Sequence, residues 1–133
     1  MTPVFLDTVG LIAVWDETDQ WHTAAEPIWL NLIRQGRPVV TTPLILYECG
    51  NAAARRRYRS QVATFRDLMQ AAGGLVEPTS DELQTAWVQY AAGPVGGPGI
   101  VDCVSFAVMR RLGIAEAFTN DKHYAIAGFV CLF

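Results

Sequence analysis

Four acids stand among apolar neighbours in this 133-residue chain. Asp7 follows the run Val4, Phe5, Leu6. Glu48 is set among Ile45, Leu46, Tyr47 and Cys49. Asp102 lies in the first turn of the apolar stretch from Ile100 to Leu112, and Asp121 follows Ala115 to Thr119. Carboxylates drawn to one place repel, and like charges at close range raise one another's pKa. A divalent cation resolves that conflict. Hard oxygen ligands without His or Cys partners select Mg²⁺ or Mn²⁺ over Zn²⁺. Such a centre suits phosphodiester hydrolysis, because the metal activates water and neutralises charge developing on phosphate. The plainer alternative is that each acid singly caps a helix or sits on a solvated loop. Asp121, in the polar run Thr119 to His123, fits that alternative best.

These acids need a scaffold, and the apolar pattern predicts one. Val4 to Leu6 is expected to be a central parallel strand with Asp7 at its carboxyl end. Helices are expected over Thr8–Trp15 and Gln20–Gln35, the second with Pro27 as a kink or a break. Pro38–Thr41 is a second strand. Thr42 and Pro43 look like an N-cap and first helical position of a helix from Leu44 to about Arg57. A helix over Gln61–Ala72 and a third strand over Leu75–Glu77 follow. The next helix, Ser80–Ala92, is expected to be capped by Ser80, with Asp81 and Glu82 in its first turn. The loop GPVGGPG, residues 93–99, leads into the helix that carries Asp102. Val101, Val104, Val108 and Leu112 recur there at helical spacing, Arg110 and Arg111 suit its last turn, and Gly113 ends it. A strand over Ala115–Thr119, a helical turn over Tyr124–Ala127 and a last strand over Phe129–Phe133 complete the chain. Strands alternating with helices imply an α/β fold: a central, mainly parallel sheet of about five short strands, flanked by helices on both faces. Such sheets bind ligands outside the carboxyl ends of their strands. The expectation is one domain over residues 1–133.

A composition that is 51% hydrophobic excludes intrinsic disorder. Three cysteines, Cys49, Cys103 and Cys131, stand singly without CxxC spacing, which argues against a disulfide framework or zinc site and suits a reducing cytoplasm. The first residues lack the pattern of a signal peptide, and no apolar run is long enough to span a membrane. The net charge of −3 does not exclude a nucleic-acid substrate, since setting the four candidate acids aside leaves nine acids against ten Lys and Arg.

FLDT at 5–8, LYECGN at 46–51, VDCVSFAVMRRLGI at 101–114 and FTNDKHY at 118–124 resemble the PIN-domain family, especially its VapC-type toxin branch. The order is right, the motifs cover nearly the whole chain, and the last two together are specific. The resemblance implies that Asp7, Glu48, Asp102 and Asp121 correspond to the acidic quartet binding Mg²⁺ or Mn²⁺ in metal-dependent ribonucleases. Thr8 and Thr119 match hydroxyl residues that support the metal site, and Asn120 fills a variable position beside it. A homodimer and a small cognate antitoxin are implied as partners, with RNA as substrate. One feature departs from the pattern. Many VapC-like chains carry a polar or basic residue and a tryptophan or serine before the third acid, where this chain has its glycine-proline loop.

Arg55, Arg56, Arg57 and Arg59 are candidates to grip an RNA backbone or an acidic antitoxin segment, with Tyr58 as a stacking partner; a solvated helix end is the alternative. His123 is a candidate general acid or base, and His22 a surface helix residue. Trp15, Trp21, Trp29 and Trp87 are expected in core or dimer packing. Competing functions are an RNA- or partner-binding module with little catalysis, and a phosphohydrolase with Asp7 as nucleophile. The latter chemistry wants a second acid two residues on, where Val9 stands. No GxxxxGK[ST] run exists, so the glycine loop is not a nucleotide P-loop.

Overall fold

The computed structural model describes residues 1–133. In chain order the elements are β1 (Val4–Leu6), α1 (Thr8–Trp15), α2 (His22–Arg34), β2 (Val39–Val40), α3 (Pro43–Ala52), α4 (Arg59–Ala71), α5 (Ser80–Ala92), α6 (Ile100–Leu112), β3 (Glu116–Phe118), α7 (Lys122–Ile126) and β4 (Val130–Cys131). The sheet is wholly parallel, in the order β2-β1-β3-β4. Val4 pairs with Val39 on one side and Glu116 on the other, and Leu6 pairs with Phe118. All three β1 residues are fully buried, so helices cover both faces of the sheet, as continuous apolar strands require.

From β1 the chain moves outward to β2, then returns across β1 to build β3 and β4. The order therefore reverses between β1 and β3, and the crevice between their carboxyl ends is the switch point where such sheets bind ligands. Asp7 and Thr119 occupy those two ends. Gly10 keeps the crevice narrow. A Cβ there would stand 2.1 Å from the Phe118 carbonyl oxygen, so only glycine lets α1 pack this closely on β3.

Four strands form where about five were expected. Leu75–Glu77 contributes only one bridge, Thr41 to Leu75, held by Thr41 N–H to Gly74 O and Val76 N–H to Thr41 O, both 2.9 Å. Two glycines before it and Pro78 after it leave too little chain for a ladder. α5 is capped by Thr79 rather than Ser80. Thr79 Oγ1 accepts from Glu82 N–H at 3.0 Å and Thr79 N–H donates to Glu82 Oε1 at 2.8 Å. That reciprocal box requires an acid three residues beyond the cap, which only Thr79 has.

The helix through Glu48 ends at Ala52, not Arg57. Tyr58 is buried and stacked on Trp15 at 6.4 Å between ring centroids, so the chain turns inward there. Arg55–Arg57 consequently lie on an exposed connection, and Arg59 begins α4. α2 runs unbroken through Pro27. Gly113, at φ 66°, ends α6 in the left-handed conformation, with Arg110 and Arg111 in the last turn. No helix is long and apolar enough to cross a membrane.

Of the four tryptophans, Trp15 and Trp29 pack edgewise on Phe65 at 5.5 and 6.2 Å. Trp21 and Trp87 are instead 43% and 53% exposed, so neither belongs to the core of the chain. Cys49 and Cys103 are buried and Cys131 half-buried; all three are free.

Candidate metal centre

Asp7 is the N-cap residue of α1, yet its side chain does not cap that helix. It turns into the interior, only 3% exposed, and takes two hydroxyl donors from distant parts of the chain. Thr119 Oγ1 donates to Asp7 Oδ2 at 2.7 Å, and the Tyr124 phenol donates to Oδ1 at 2.9 Å. Burial pushes the Asp7 carboxyl up to about 6; the two hydroxyls oppose that rise and Asp121 adds slightly to it. Burial and the adjacent Asp7 also hold the Tyr124 phenol well above its ordinary range, so it remains a donor.

Asp102 lies in the first turn of α6, where its Oδ2 accepts from Gly99 N–H at 3.3 Å. Its carboxyl is pushed up to about 7, first by desolvation, then by Asp7 and Asp121. Asp121 caps α7 through its own side chain, Oδ1 accepting from His123 N–H at 2.9 Å. Its backbone N–H donates to Thr119 Oγ1 at 3.1 Å, so one threonine hydroxyl links two acids. Glu48 approaches from α3 and is exposed. Thr8 Oγ1 donates to its Oε1 at 2.6 Å, holding it beside Asp7. The charge of Glu48 reaches Asp102 as well.

All four expected acids therefore share one electrostatic environment, with Thr8 and Thr119 as their hydroxyl supports. The closest set of ligand atoms differs from the expected quartet: those of Asp102, Asp121 and His123 lie within 4.8 Å of one another. Asp7, buried with both oxygens engaged by hydroxyls, and Glu48, exposed on α3, are not part of this closest set. His123 was weighed as an acid or base rather than a ligand. Its Nδ1 is 3.0 Å from Asp121 Oδ1, and its Nε2 is 2.9 Å from the carbonyl oxygen of Gly96. The glycine-proline loop thereby touches the site. Tyr124 was missed altogether; only its place in the FTNDKHY motif could have flagged it.

The donor set includes an imidazole, against the expectation of oxygen ligands alone, and still fits a divalent cation. Carboxylate oxygens dominate it, and the two acids driven up by burial and mutual repulsion are groups a bound cation would return to the charged state. The cysteines take no part: burial and the nearby acids hold the Cys49 thiol up to about 12.

Asn120 lies next to Asp121 on a cleft that it shares with Val9, Ile12 and Trp21. The arginines are placed elsewhere. Arg55, Arg56 and Arg57 line a separate cleft of about 550 Å³ with Trp15, Asp16 and Tyr58, at the far end of α1 from Asp7. An eight-residue helix puts that end roughly 12 Å away. Arg59 is tied to the Ala54 carbonyl at 2.8 Å.

A parallel sheet with acids converging on its switch point, one of them directly after the first strand, defines a class. Residues 4–130 match the PIN-domain family model, and the chain belongs to that family. Within it, the chain is similar to the 23S rRNA-specific endonuclease VapC20 of two Mycobacterium tuberculosis strains, at 29% identity over 128 residues, covering 96% of this chain and 95% of the relative. The crystal structure of Mycobacterium tuberculosis VapC20, described as a Sarcin-Ricin loop cleaving toxin, matches with a TM-score of 0.78 at 27% identity over 96% of both chains.

Proposed function

We propose that this protein folds as one PIN domain over residues 1–133 and is a Mg²⁺- or Mn²⁺-dependent endoribonuclease, the toxin of a type II toxin–antitoxin pair. The observation that carries the reading is the buried Asp7 carboxylate, held by Thr119 and Tyr124 at the switch point beside Asp102 and Asp121. Burial opposes the charge of a carboxyl, and acids held in such places cluster at functional sites. The similarity to VapC20 supports structured ribosomal RNA as the substrate class.

Asp102 and Asp121 would hold the metal, with His123 and Glu48 at its edge and Asp7 behind. When bound, the metal supplies Lewis acidity toward the scissile phosphate and the water that attacks it. Thr119 keeps Asp7 and Asp121 in fixed relation, and Tyr124 favours the ionised form of Asp7. Thr8 orients Glu48, whose exposed position suits contact with water or the entering phosphate. The arginine connection is the surface we assign to an RNA backbone or an acidic antitoxin segment. A homodimer and a cytoplasmic location complete the reading, ribosomal RNA being a cytoplasmic substrate.

The test is incubation of purified protein with mixed RNA and with ribosomes, in Mg²⁺, in Mn²⁺ and in EDTA, beside Asp7→Asn. Metal-dependent cleavage lost in the variant is expected. Tight RNA binding with no cleavage in any metal would instead favour a binding module of the same fold.

A further inference from the structure

Next to the acids lies a cleft of about 380 Å³ with a chemistry of its own. Val9 and Ile12, one turn apart on α1, give it an apolar floor. Trp21 forms a wall, Asp19 and Asn120 supply polar atoms, and Asp121 is shared with the metal centre. Trp21 is 43% exposed, with its ring on the cleft rather than in the core.

The connection carrying Trp21 is built to stay in place. Asp16 Oδ1 accepts from Thr18 N–H at 3.0 Å and from Thr18 Oγ1 at 2.6 Å. Asp19 Oδ1 accepts from Trp21 N–H at 2.8 Å, and Asp19 O accepts from His22 N–H at 3.0 Å. His22 then fastens the start of α2 to α1, with Nδ1 2.7 Å from Ala13 O and Nε2 2.9 Å from Glu26. The ring of Trp21 is therefore presented from a fixed backbone.

No lysine, arginine or histidine lines the cleft, and two carboxylates do. It therefore repels phosphate and suits a flat, neutral, hydrogen-bonding group. An aromatic wall, an apolar floor and polar atoms at the rim match a nucleobase, which stacks on aromatic rings and offers its edge to amides and carboxylates. Because Asp121 belongs to both cleft and acid group, a nucleotide with its phosphate at the metal can place its base here.

We infer that the cleft beside Asp121 is a nucleobase subsite, in which a splayed-out base of the RNA substrate stacks on Trp21 with its edge toward Asp19 and Asn120. This rests on the ribonuclease reading for the identity of the ligand. It makes Trp21 a determinant of where the chain is cut.

The experiment uses full-length Asp7→Asn protein, which keeps RNA uncut, with Mn²⁺ and a short fluorescein-labelled single-stranded RNA containing all four bases. Binding is compared with Trp21→Ala and Trp21→Phe added. The Ala change is expected to weaken binding about 5- to 150-fold, and Phe to restore most of it. A single abasic nucleotide is then walked along the RNA. One position should weaken binding to the Trp21 protein but not to the Trp21→Ala protein, a coupling that misfolding would not produce. Equal affinity with and without Trp21, equal sensitivity to every abasic position, or no RNA binding at all would each overturn the subsite. Cleavage of the same RNA by the otherwise unaltered protein is scored separately. Cleavage with unchanged KM and unchanged cut sites in Trp21→Ala overturns the subsite and leaves the nuclease standing. Coupled binding with no cleavage of this RNA, of mixed RNA or of ribosomes supports the subsite and removes the nuclease.

Discussion

The Tyr124 hydroxyl donates to Asp7 Oδ1 at 2.9 Å, joining residues 117 positions apart inside the core. The same ring packs edge-on against Phe106 at 4.9 Å between centroids, so α6 holds the phenol in position. Asp7 gains a donor that favours its charged form in a place where burial disfavours it. The carboxyl is thereby kept within reach of ionisation near neutral pH.

Tyr124→Phe removes that donor and keeps the packing. The Asp7 carboxyl should move further up from about 6, and the acidic limb of a pH–rate profile should move to higher pH with it. Stability should fall by about 1 kcal/mol, the usual net worth of one hydrogen bond. A profile that superimposes on the original would show that Tyr124 does not tune Asp7.

The raised carboxyls also set a dependence of stability on pH. Asp7, at about 6, and Asp102, at about 7, are both raised above the ordinary aspartate value of 3.8, so the folded state binds protons more tightly than the unfolded chain. Their contribution is neutral well below pH 3.8, grows unfavourable as pH rises from there, and levels off above about 6 for Asp7 and about 7 for Asp102. For buried Asp7 the penalty is on the order of 3 kcal/mol by the usual conversion of a pKa change into free energy. Metal-free protein should therefore melt at lower temperature at pH 8 than at pH 5.5. Adding Mn²⁺ should raise the midpoint at pH 8 more than at pH 5.5. Asp7→Asn should flatten the pH trend, and calorimetry across the four conditions decides it. A midpoint that rises with pH in the metal-free protein would contradict this account of the acids.

Local signals made much of this site legible. Asp7 after Leu6 and Asp102 at the start of an apolar helix are visible because strand ends and first turns are written in contiguous residues. Glu48 stands out as an acid among Ile45, Leu46 and Cys49, whereas Asp121, in a polar loop with a plausible ordinary role, leaned most on the motif resemblance. What the sequence could not display are relations across the fold. Tyr124 reaches Asp7 only because β1 and β3 are neighbours, and His123 reaches Gly96 only because α7 lies beside the loop entering α6. The arginines look helical by composition, but burying Tyr58 against Trp15 turns the chain out of the helix first. Trp21 looks like core because its amphipathic neighbours do; its place at the start of α2, in the wall of a cleft, depends on the preceding turn.

Gly10 tests the closeness of α1 to β3. A methyl group there would overlap the Phe118 carbonyl oxygen and ring, at 2.1 and 2.5 Å from the added carbon. The neighbours are strand backbone and a fully buried ring, so they cannot yield cheaply. Gly10→Ala should cost about 1–3 kcal/mol in denaturant unfolding despite the better helix propensity of alanine. A stability equal to or above that of the unaltered chain would mean that α1 has room to move away from β3.

The contact between His123 and Gly96 makes a separate prediction about the loop that departs from the VapC-type pattern. Gly96 has φ 83°, a left-handed conformation suited to glycine, and its carbonyl points at His123 Nε2 across 2.9 Å. The other ring nitrogen faces Asp121, so the loop is fastened to the acid cluster through one imidazole. His123→Ala should release residues 93–99, with faster amide hydrogen exchange there and little change in α6, whose apolar face is buried against α5 and the core. His123→Gln, with a single amide donor, should restore protection in part. If the loop anchors RNA beside Asp102, the Ala variant should raise KM for RNA more than it lowers kcat. Unchanged exchange in residues 93–99 would show that the loop is held by its own prolines rather than by the site.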